Sequence, residues 1–337
     1  MKVRAGMISP VSRFAKIFCR STEGWQVAHD RWRHGLAAVI AALAWSMTSA
    51  LSAAPLEVSE IAPGVFVHQG VHEEFGDGYH GDIASIGFVI GEEAIAVIDT
   101  GGSFRVGSAL RESIRVRSSL PIRYVINTHV HSDHIFGNAA FAQDQPAFIG
   151  HHKLPAAMRS RGPLYEENLA RMLGEAAQGS HIVLPTRTVQ DALAIDLGGR
   201  RLLLRAWPSA HTDHDLTVMD EKTATLWAGD LLFLERTPTL DGDLKGWLEA
   251  MKVLAASGAV RTVPGHGPVV ADARPYFDKQ RRYLQSLQDD VRRGLDEGLK
   301  LQQVTARAAE AERSQWLLFD SANPRNAELL YLQMEWE

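Results

Sequence analysis

The segment "VINTHVHSDHIFGNAAF", residues 125–141, places His129, His131, Asp133 and His134 within six consecutive positions. Polar side chains set between apolar runs are costly to bury unless something pairs them. Two readings fit such a cluster, a solvated loop or a site that holds metal. His129 and His131 are two apart, so on an extended strand end both side chains point to one side. Asp133 and His134 follow at the expected start of a helix, where a tight turn would aim them at a second, nearby point. One segment would then serve two ions.

Two ions need more ligands than these four, so distant segments must contribute. Three residues stand in matching contexts: His211 in "SAHTDHD", Asp230 closing "ATLWAGD", and His266 in "VPGHGP". Each lies just past an apolar run. A lone histidine is commonly only a hydrogen-bonded residue, but the set taken together favours metal. Two bound divalent ions lower the pKa of water to about 7 and polarise a carbonyl, which is the chemistry of a metal-dependent hydrolase. No Ser-His-Asp arrangement is evident as a rival.

The elements that must carry these residues alternate along the chain. "GVFVHQ", "ASIGFVI" and "AIAVIDTGG" read as strands bounded by turn residues. Helical spacing follows in "SFRVGSALRESIRVRSS", with Val106, Leu110 and Ile114 on one face. "PIRYVINT" is a buried-strand run that ends at the histidine cluster. A second series follows: "AFIGHHK", a helical stretch from Ala156 to about Gly179, then strands in "ALAIDLGGRRLLLRAW", "DLTVMDE" and "ATLWAGD". The helix "LKGWLEAMKVLAAS" leads into "RTVPGHGPVV". The tail from Pro275 reads as helical through "YFDKQRRYLQSLQDDVRRGLDEGL" and again through "VTARAAEAERSQWLLF". Polar clusters at strand ends are where layered α/β proteins bind ligands.

The N-terminus has a different character. Residues 1–54 hold seven Lys/Arg against Glu23 and Asp30, and end in the uncharged run "GLAAVIAALAWSMTSALSAA". A basic flank, a short apolar core and small residues at 50–54 predict a signal peptide cleaved near that point, and a periplasmic protein with no stable membrane insertion afterwards. Residues 55–337 are then one domain. They keep 28 basic and 38 acidic residues, a net of −10 that excludes a nucleic-acid partner. The only cysteine, Cys19, falls in the extension, so any metal must be held by His and carboxylate alone.

"THVHSDH", "AHTDHD", "AGD" and "VPGHGP", in that order after "VIDTGG", resemble the metallo-β-lactamase superfamily. The match runs from about residue 58 to 270. The resemblance implies an α/β fold, an αββα sandwich with the metals at one edge, here followed by a helical C-terminal tail. It implies that His129, His131 and His211 hold a first zinc, that Asp133, His134 and His266 hold a second, and that Asp230 bridges them. A bridging hydroxide would be the nucleophile on an ester, thioester, lactone or amide-like bond of a small-molecule substrate, with Asp133 also placed to orient the water. Asp99 of "VIDTGG" resembles the superfamily's structural aspartate. Dedicated β-lactamases of this fold usually carry Cys or Ser where Asp230 stands, which weighs against that activity. Iron in place of zinc, as in persulfide dioxygenases, is the oxidative alternative.

"GYHGDIASIGFVIG", "GHHKLP", "LFLERTPTLDGDLKGW" and "NPRN" are similar, more narrowly, to the quinoprotein relay system zinc metallohydrolases. That likeness implies an exported protein linked to a quinoprotein dehydrogenase system, either as a hydrolase or as a non-catalytic accessory of the quinone cofactor. Among other polar residues, His72 and His80 (with Asp82 in the same loop), Arg236 and Lys245 are candidate substrate contacts. His151 and His152 are expected at the surface or behind the ligands, and Trp247 and Trp316 in the core.

Overall fold

The structure, a computed structural model, describes residues 53–336 apart from Asp77. The expected signal peptide lies outside the described residues. No helix among those described is long and apolar enough to cross a membrane.

Twelve strands form two sheets. The first runs in chain order, β1 (Ser59–Ala62), β2 (Val65–His68), β3 (Ile86–Ile90), β4 (Ile95–Ile98), β5 (Ile122–Ile126), β6 (Ala147–His151) and β7 (Arg187–Val189). Its first four strands are antiparallel neighbours, and β4 to β7 are parallel. The second holds β8 (Ala192–Asp196), β9 (Arg201–Ala206), β10 (Leu216–Asp220), β11 (Thr225–Phe233) and β12 (Arg261–His266), with only β11 and β12 parallel.

Alternation in the strands decides the layers. In β4, Ala96 and Ile98 meet Leu204, Val218 and Trp227 of the second sheet. Ile95 and Val97, on the other face, meet Val106, Leu110 and Ile114 of helix α1 (Phe104–Arg115). Both faces of this strand are therefore apolar, and all four residues are buried. Ser103 caps α1, its hydroxyl accepting from the Val106 amide at 3.2 Å. The outer face of the second sheet is covered by α4 (Leu244–Ala255), α5 (Arg274–Asp296) and α7 (Phe319–Met334), through Trp247, Tyr283 and Leu330 among others. The result is the αββα sandwich with a helical tail that the sequence predicts. Trp247 and Trp316 are both in this core.

The remaining helices are short α2 (Ser132–Ile135), α3 (Leu154–Leu173) and α6 (Leu301–Thr305), with a 3-10 stretch, Phe136–Asp144, after α2. The tail differs from its predicted form. "VTARAAEAERSQWLLF" is no continuous helix, because Ala309 and Leu318 turn left-handed, with φ of 53° and 57°. Helix α7, unpredicted, begins after this break and accommodates Pro324 inside it. Proline lacks the N–H that would reach four residues back, and that residue, Asp320, is exposed and needs no such partner.

Helix α1 meets the turn after α2 by backbone contact. A Cβ on Gly107 would lie 2.6 Å from Gly137 Cα, and one on Gly137 would strike the carbonyl oxygen of Thr100. Only glycine fits at either position. Gly137→Ala is expected to lower the free energy of unfolding by about 1–3 kcal/mol through overpacking. A denaturant midpoint equal to that of the unsubstituted protein would show that this contact is not under steric constraint.

Candidate metal centre

Four segments of the chain at one edge of the sandwich bring the seven candidate residues together. His129 and His131 follow β5, and Asp133 and His134 lie in α2. His211 sits between β9 and β10, Asp230 within β11, and His266 at the end of β12. Asp230 does not close its strand as expected, because β11 continues to Phe233. Gly229, at φ 53°, breaks the register with β12 just before it and turns the carboxylate toward the histidines. Gly265 of β12 leaves room for that carboxylate, since any Cβ there would collide with Asp230 Oδ1.

Each of the five histidines is held from outside through one ring nitrogen. His131 Nε2 donates to Asp241 at 3.0 Å, and His134 Nδ1 to Asp99 at 2.8 Å. His211 Nδ1 donates to the carbonyl of Thr239 and His266 Nδ1 to that of Ile83, both at 2.7 Å. His129 Nδ1 lies 3.0 Å from the Thr128 hydroxyl, which itself donates to Asp99. These bonds place a proton on the outer nitrogen and turn the inner one toward the other donors of the cluster.

The inner atoms converge. His131 Nδ1 lies 3.0 Å from His129 Nε2 and 3.1 Å from His211 Nε2. Asp230 Oδ2 is 3.5 Å from His129 Nε2 and 3.4 Å from both His211 Nε2 and His266 Nε2, while its Oδ1 is 3.2 Å from His134 Nε2. Asp133 Oδ2 lies 3.4 Å from both His134 Nε2 and His266 Nε2. Two groups result among the described residues, His129/His131/His211/Asp230 and Asp133/His134/His266, each able to hold a metal ion. Lone pairs this close repel unless a cation lies between them. His134 Nε2 and Asp230 Oδ1, both buried, have no hydrogen-bond partner among the described residues. The donors, imidazole and carboxylate without thiolate, suit zinc or iron. The residues fit the ions that the sequence implies.

Charge is divided unevenly in the cluster. Burial, helped by the neighbouring His134, holds the His129 pKa well below its usual value, and burial lowers His211 to about 3. Both stay neutral, the form that ligates metal. Burial opposes a charge on His134 too, but Asp230, Asp133 and Asp99 together hold its pKa well above normal. Burial would raise Asp230, yet His266, His134 and His129 keep it well below the carboxylate range.

A cavity of about 580 Å³ opens onto this edge, reaching His131, Asp133, Asp230 and His266. Of the candidate substrate contacts, only Arg236 lines it. His72 pairs with Glu235 at 2.9 Å, and His80 with Glu73 at 2.9 Å. Asp82 pairs with His68 at 2.8 Å, and Lys245 is exposed on α4. His151 is buried in β6, where burial lowers its pKa to about 4.

Sequence reasoning missed Asp241 and Asp215. Asp241 receives both His131 and the Arg161 guanidinium. Its only signal was an acid in "TLDGD" between a strand and a helix cap. Asp215 is buried and accepts from the Thr212 amide and hydroxyl, closing the His211 loop; burial raises its pKa to about 8. The role of "NPRN" also emerges. Asn326 accepts from the Leu240 amide at 2.9 Å and donates to the carbonyl of Pro238, clamping the loop that holds His211 and His131.

A model of the metallo-beta-lactamase superfamily matches residues 80–266, more than half of the chain. Beta-lactamase-like protein 2 homolog of Caenorhabditis elegans is 27% identical over 163 residues, so the chain matches about half (48%) of that relative's length. The metallo-beta-lactamase from Pontibacter korlensis superposes with a TM-score of 0.55 at 22% identity, over 68% of this chain and 99% of that one. The stereoselective inverting sec-alkylsulfatase Pisa1 from Pseudomonas sp. gives 0.61 at 15% identity, over 82% of this chain and 50% of that one. At these identities the structural likeness is one of fold. Sandwich, metal-binding cluster and family match agree: the chain belongs to the metallo-beta-lactamase superfamily.

Proposed function

We propose that the chain is a dinuclear zinc hydrolase acting on an ester, thioester, lactone or amide-like bond. The observation that carries this is the set of five histidines, each tied from outside, whose free nitrogens converge with Asp133 and Asp230. His129, His131 and His211 would hold one ion, and Asp133, His134 and His266 the other. Asp230 would lie between them, since its two oxygens reach both groups. Two zinc ions in these positions would supply Lewis acidity and a water nucleophile near neutral pH.

The chain's own residues do the rest. Asp99, Asp241 and the carbonyls of Thr239 and Ile83 orient the imidazoles, so the donors are preorganised and reorganise little on binding. Asp133, beside the cavity, is placed to accept a hydrogen bond from the attacking water.

The same motifs that resemble quinoprotein relay metallohydrolases support a link to an exported quinoprotein dehydrogenase system. The basic-then-apolar N-terminal pattern supports export to the periplasm.

Purified without chelator, the protein is expected to carry two zinc ions per chain by elemental analysis. One iron with little zinc would move it to an oxidative class. Asp230→Asn should keep the three-histidine ion and lose affinity for the other. Hydrolysis of a generic thioester or lactone should fall at least ten-fold, about 1.4 kcal/mol of transition-state stabilisation. Two zincs retained with unchanged activity would remove Asp230 from the site. Asp99→Asn, which disturbs the orientation of both His134 and His129, should weaken metal binding by about 10–100-fold in a chelator competition. An affinity equal to wild type would deny Asp99 its positioning role.

A further inference from the structure

His68 lies at the end of β2, outside the metal cluster, and its ring makes two short contacts. Its Nδ1 is 2.7 Å from the carbonyl oxygen of Glu57, and its Nε2 is 2.8 Å from Asp82 Oδ1. A carbonyl and a carboxylate only accept, while a neutral imidazole carries a single N–H. In the neutral ring, one of the two contacts would set a bare lone pair against an oxygen. The imidazolium, with a proton on each nitrogen, makes both bonds. The ring is 12% exposed, so water does little to replace either partner.

The charges around the ring agree with that form. Burial opposes its charge, but the bond to Asp82, the charge of that carboxylate and the carbonyl and side chain of Glu57 hold its pKa above the ordinary value. Opposite His68 in the sheet stands Ile86, and β3 carries no charge. On β1, Glu60 accepts from the Gly64 amide. Arg111 and Arg115 of α1 pair with Asp144, and Arg105 is exposed. Arg117, just beyond that helix, lies over Phe66 and donates to the carbonyl of Ser113. In the loop after β2, His72 pairs with Glu235 and His80 with Glu73, and burial keeps the Tyr79 hydroxyl protonated. Asp82 and Glu57 are the groups that govern His68.

The clamp reaches the metal cluster through the backbone. Asp82 closes the loop after β2, its carbonyl accepting the Val71 amide at 2.9 Å. The next residue, Ile83, lines the cavity and accepts His266 Nδ1 at 2.7 Å. The two ends of the loop are in backbone contact, since a Cβ on Gly70 would lie 2.4 Å from the carbonyl carbon of Ile83. Packing this close transmits a shift of Asp82 to Ile83.

We propose that the His68 imidazolium is a positioning residue for the second metal ion: it fixes Asp82 and Ile83, and the Ile83 carbonyl then holds His266 in its ligating orientation. The proposal rests on the dinuclear reading for the ion, but the clamp itself does not. Its pH dependence has a distinctive sign. A raised folded pKa gives support that is complete below the ordinary histidine range and is lost as pH rises through the folded value. The ligand histidines do the reverse, because they must be neutral to bind metal.

The test follows the ring signals of the full chain, labelled with 15N-histidine and assigned by substitution, in NMR titrations with and without zinc. His68 is expected to be doubly protonated at about pH 6 and to titrate above the ordinary histidine value. The Nδ1–H of His266 should exchange faster, relative to that of His211, as His68 loses its proton. Titration of His68 at or below the ordinary value overturns the proposal, as does a constant ratio of the two exchange rates, and neither result needs a variant. In a chelator competition, His68→Gln should weaken the second zinc by about 3–10-fold at about pH 6 and by less at about pH 8, with the first zinc unchanged. His68→Arg, with two donors and a permanent charge, should hold the affinity at both values. A loss in His68→Gln that is absent, or equal at both values, overturns the proposal. Binding of a single ion would count against the dinuclear reading alone, since the ring signals still decide the clamp and its hold on His266.

Discussion

The carboxylate of Asp99 is the interaction on which the metal edge depends. It sits at the end of β4, 1% exposed, in a left-handed backbone turn with φ 51°. An isolated buried carboxylate is costly, and this one is compensated by three donors. Its Oδ1 accepts the Thr128 amide at 2.8 Å, and its Oδ2 accepts the Thr128 hydroxyl at 2.7 Å and His134 Nδ1 at 2.8 Å. Two of the five histidines are oriented through this one group, one directly and one through Thr128. The same bonds pin the loop after β5 to the end of β4, so the pairing of these two strands in the first sheet places His129 and His134.

A second line of support comes from the far end of the chain. Asn326 of α7 clamps residues 238–240, and Tyr283 of α5 donates to Asn323 at 3.0 Å to hold that helix in place. The clamped loop presents Thr239 to His211 and Asp241 to His131. The helical tail is therefore part of the site's framework. Its packing against the outer face of the second sheet, around Trp247 and Leu330, sets where two of the histidines point.

Charge sets the site's further character. Within the cluster, carboxylates and imidazoles offset one another, and metal would complete that balance. Arg236 is buried at the same edge, with its NH1 group 3.5 Å from His266 Nδ1 and its Nε without a hydrogen-bond partner among the described residues. The uneven titration of the histidines has the same origin. Burial disfavours every charge; it prevails at His129 and His211, while His134, facing three carboxylates, overcomes it.

How much of this was legible beforehand follows from the range of the forces involved. Strand alternation in β3 to β5, the amphipathic face of α1 and the spacing of His129, His131, Asp133 and His134 are local patterns. In the sequence, the resemblance carried by these motifs implied the sandwich class, and the candidate donors other than Asp230 stand at or just past the end of an apolar run. Sequence reasoning misread one stretch of the helical tail, "VTARAAEAERSQWLLF", since left-handed turns at Ala309 and Leu318 interrupt it and no residue there advertises them. It could not find Asp241, Asp215 or the clamp of Asn326, because each acts on a residue brought near only by folding. Only the tertiary structure decided which nitrogen of each histidine faces inward. Only it decided that Arg236 is buried while Lys245 is exposed, although both flank the same loop. Burial and hydrogen-bond partnership are properties of the assembled edge, and they turn a list of polar residues into a candidate site.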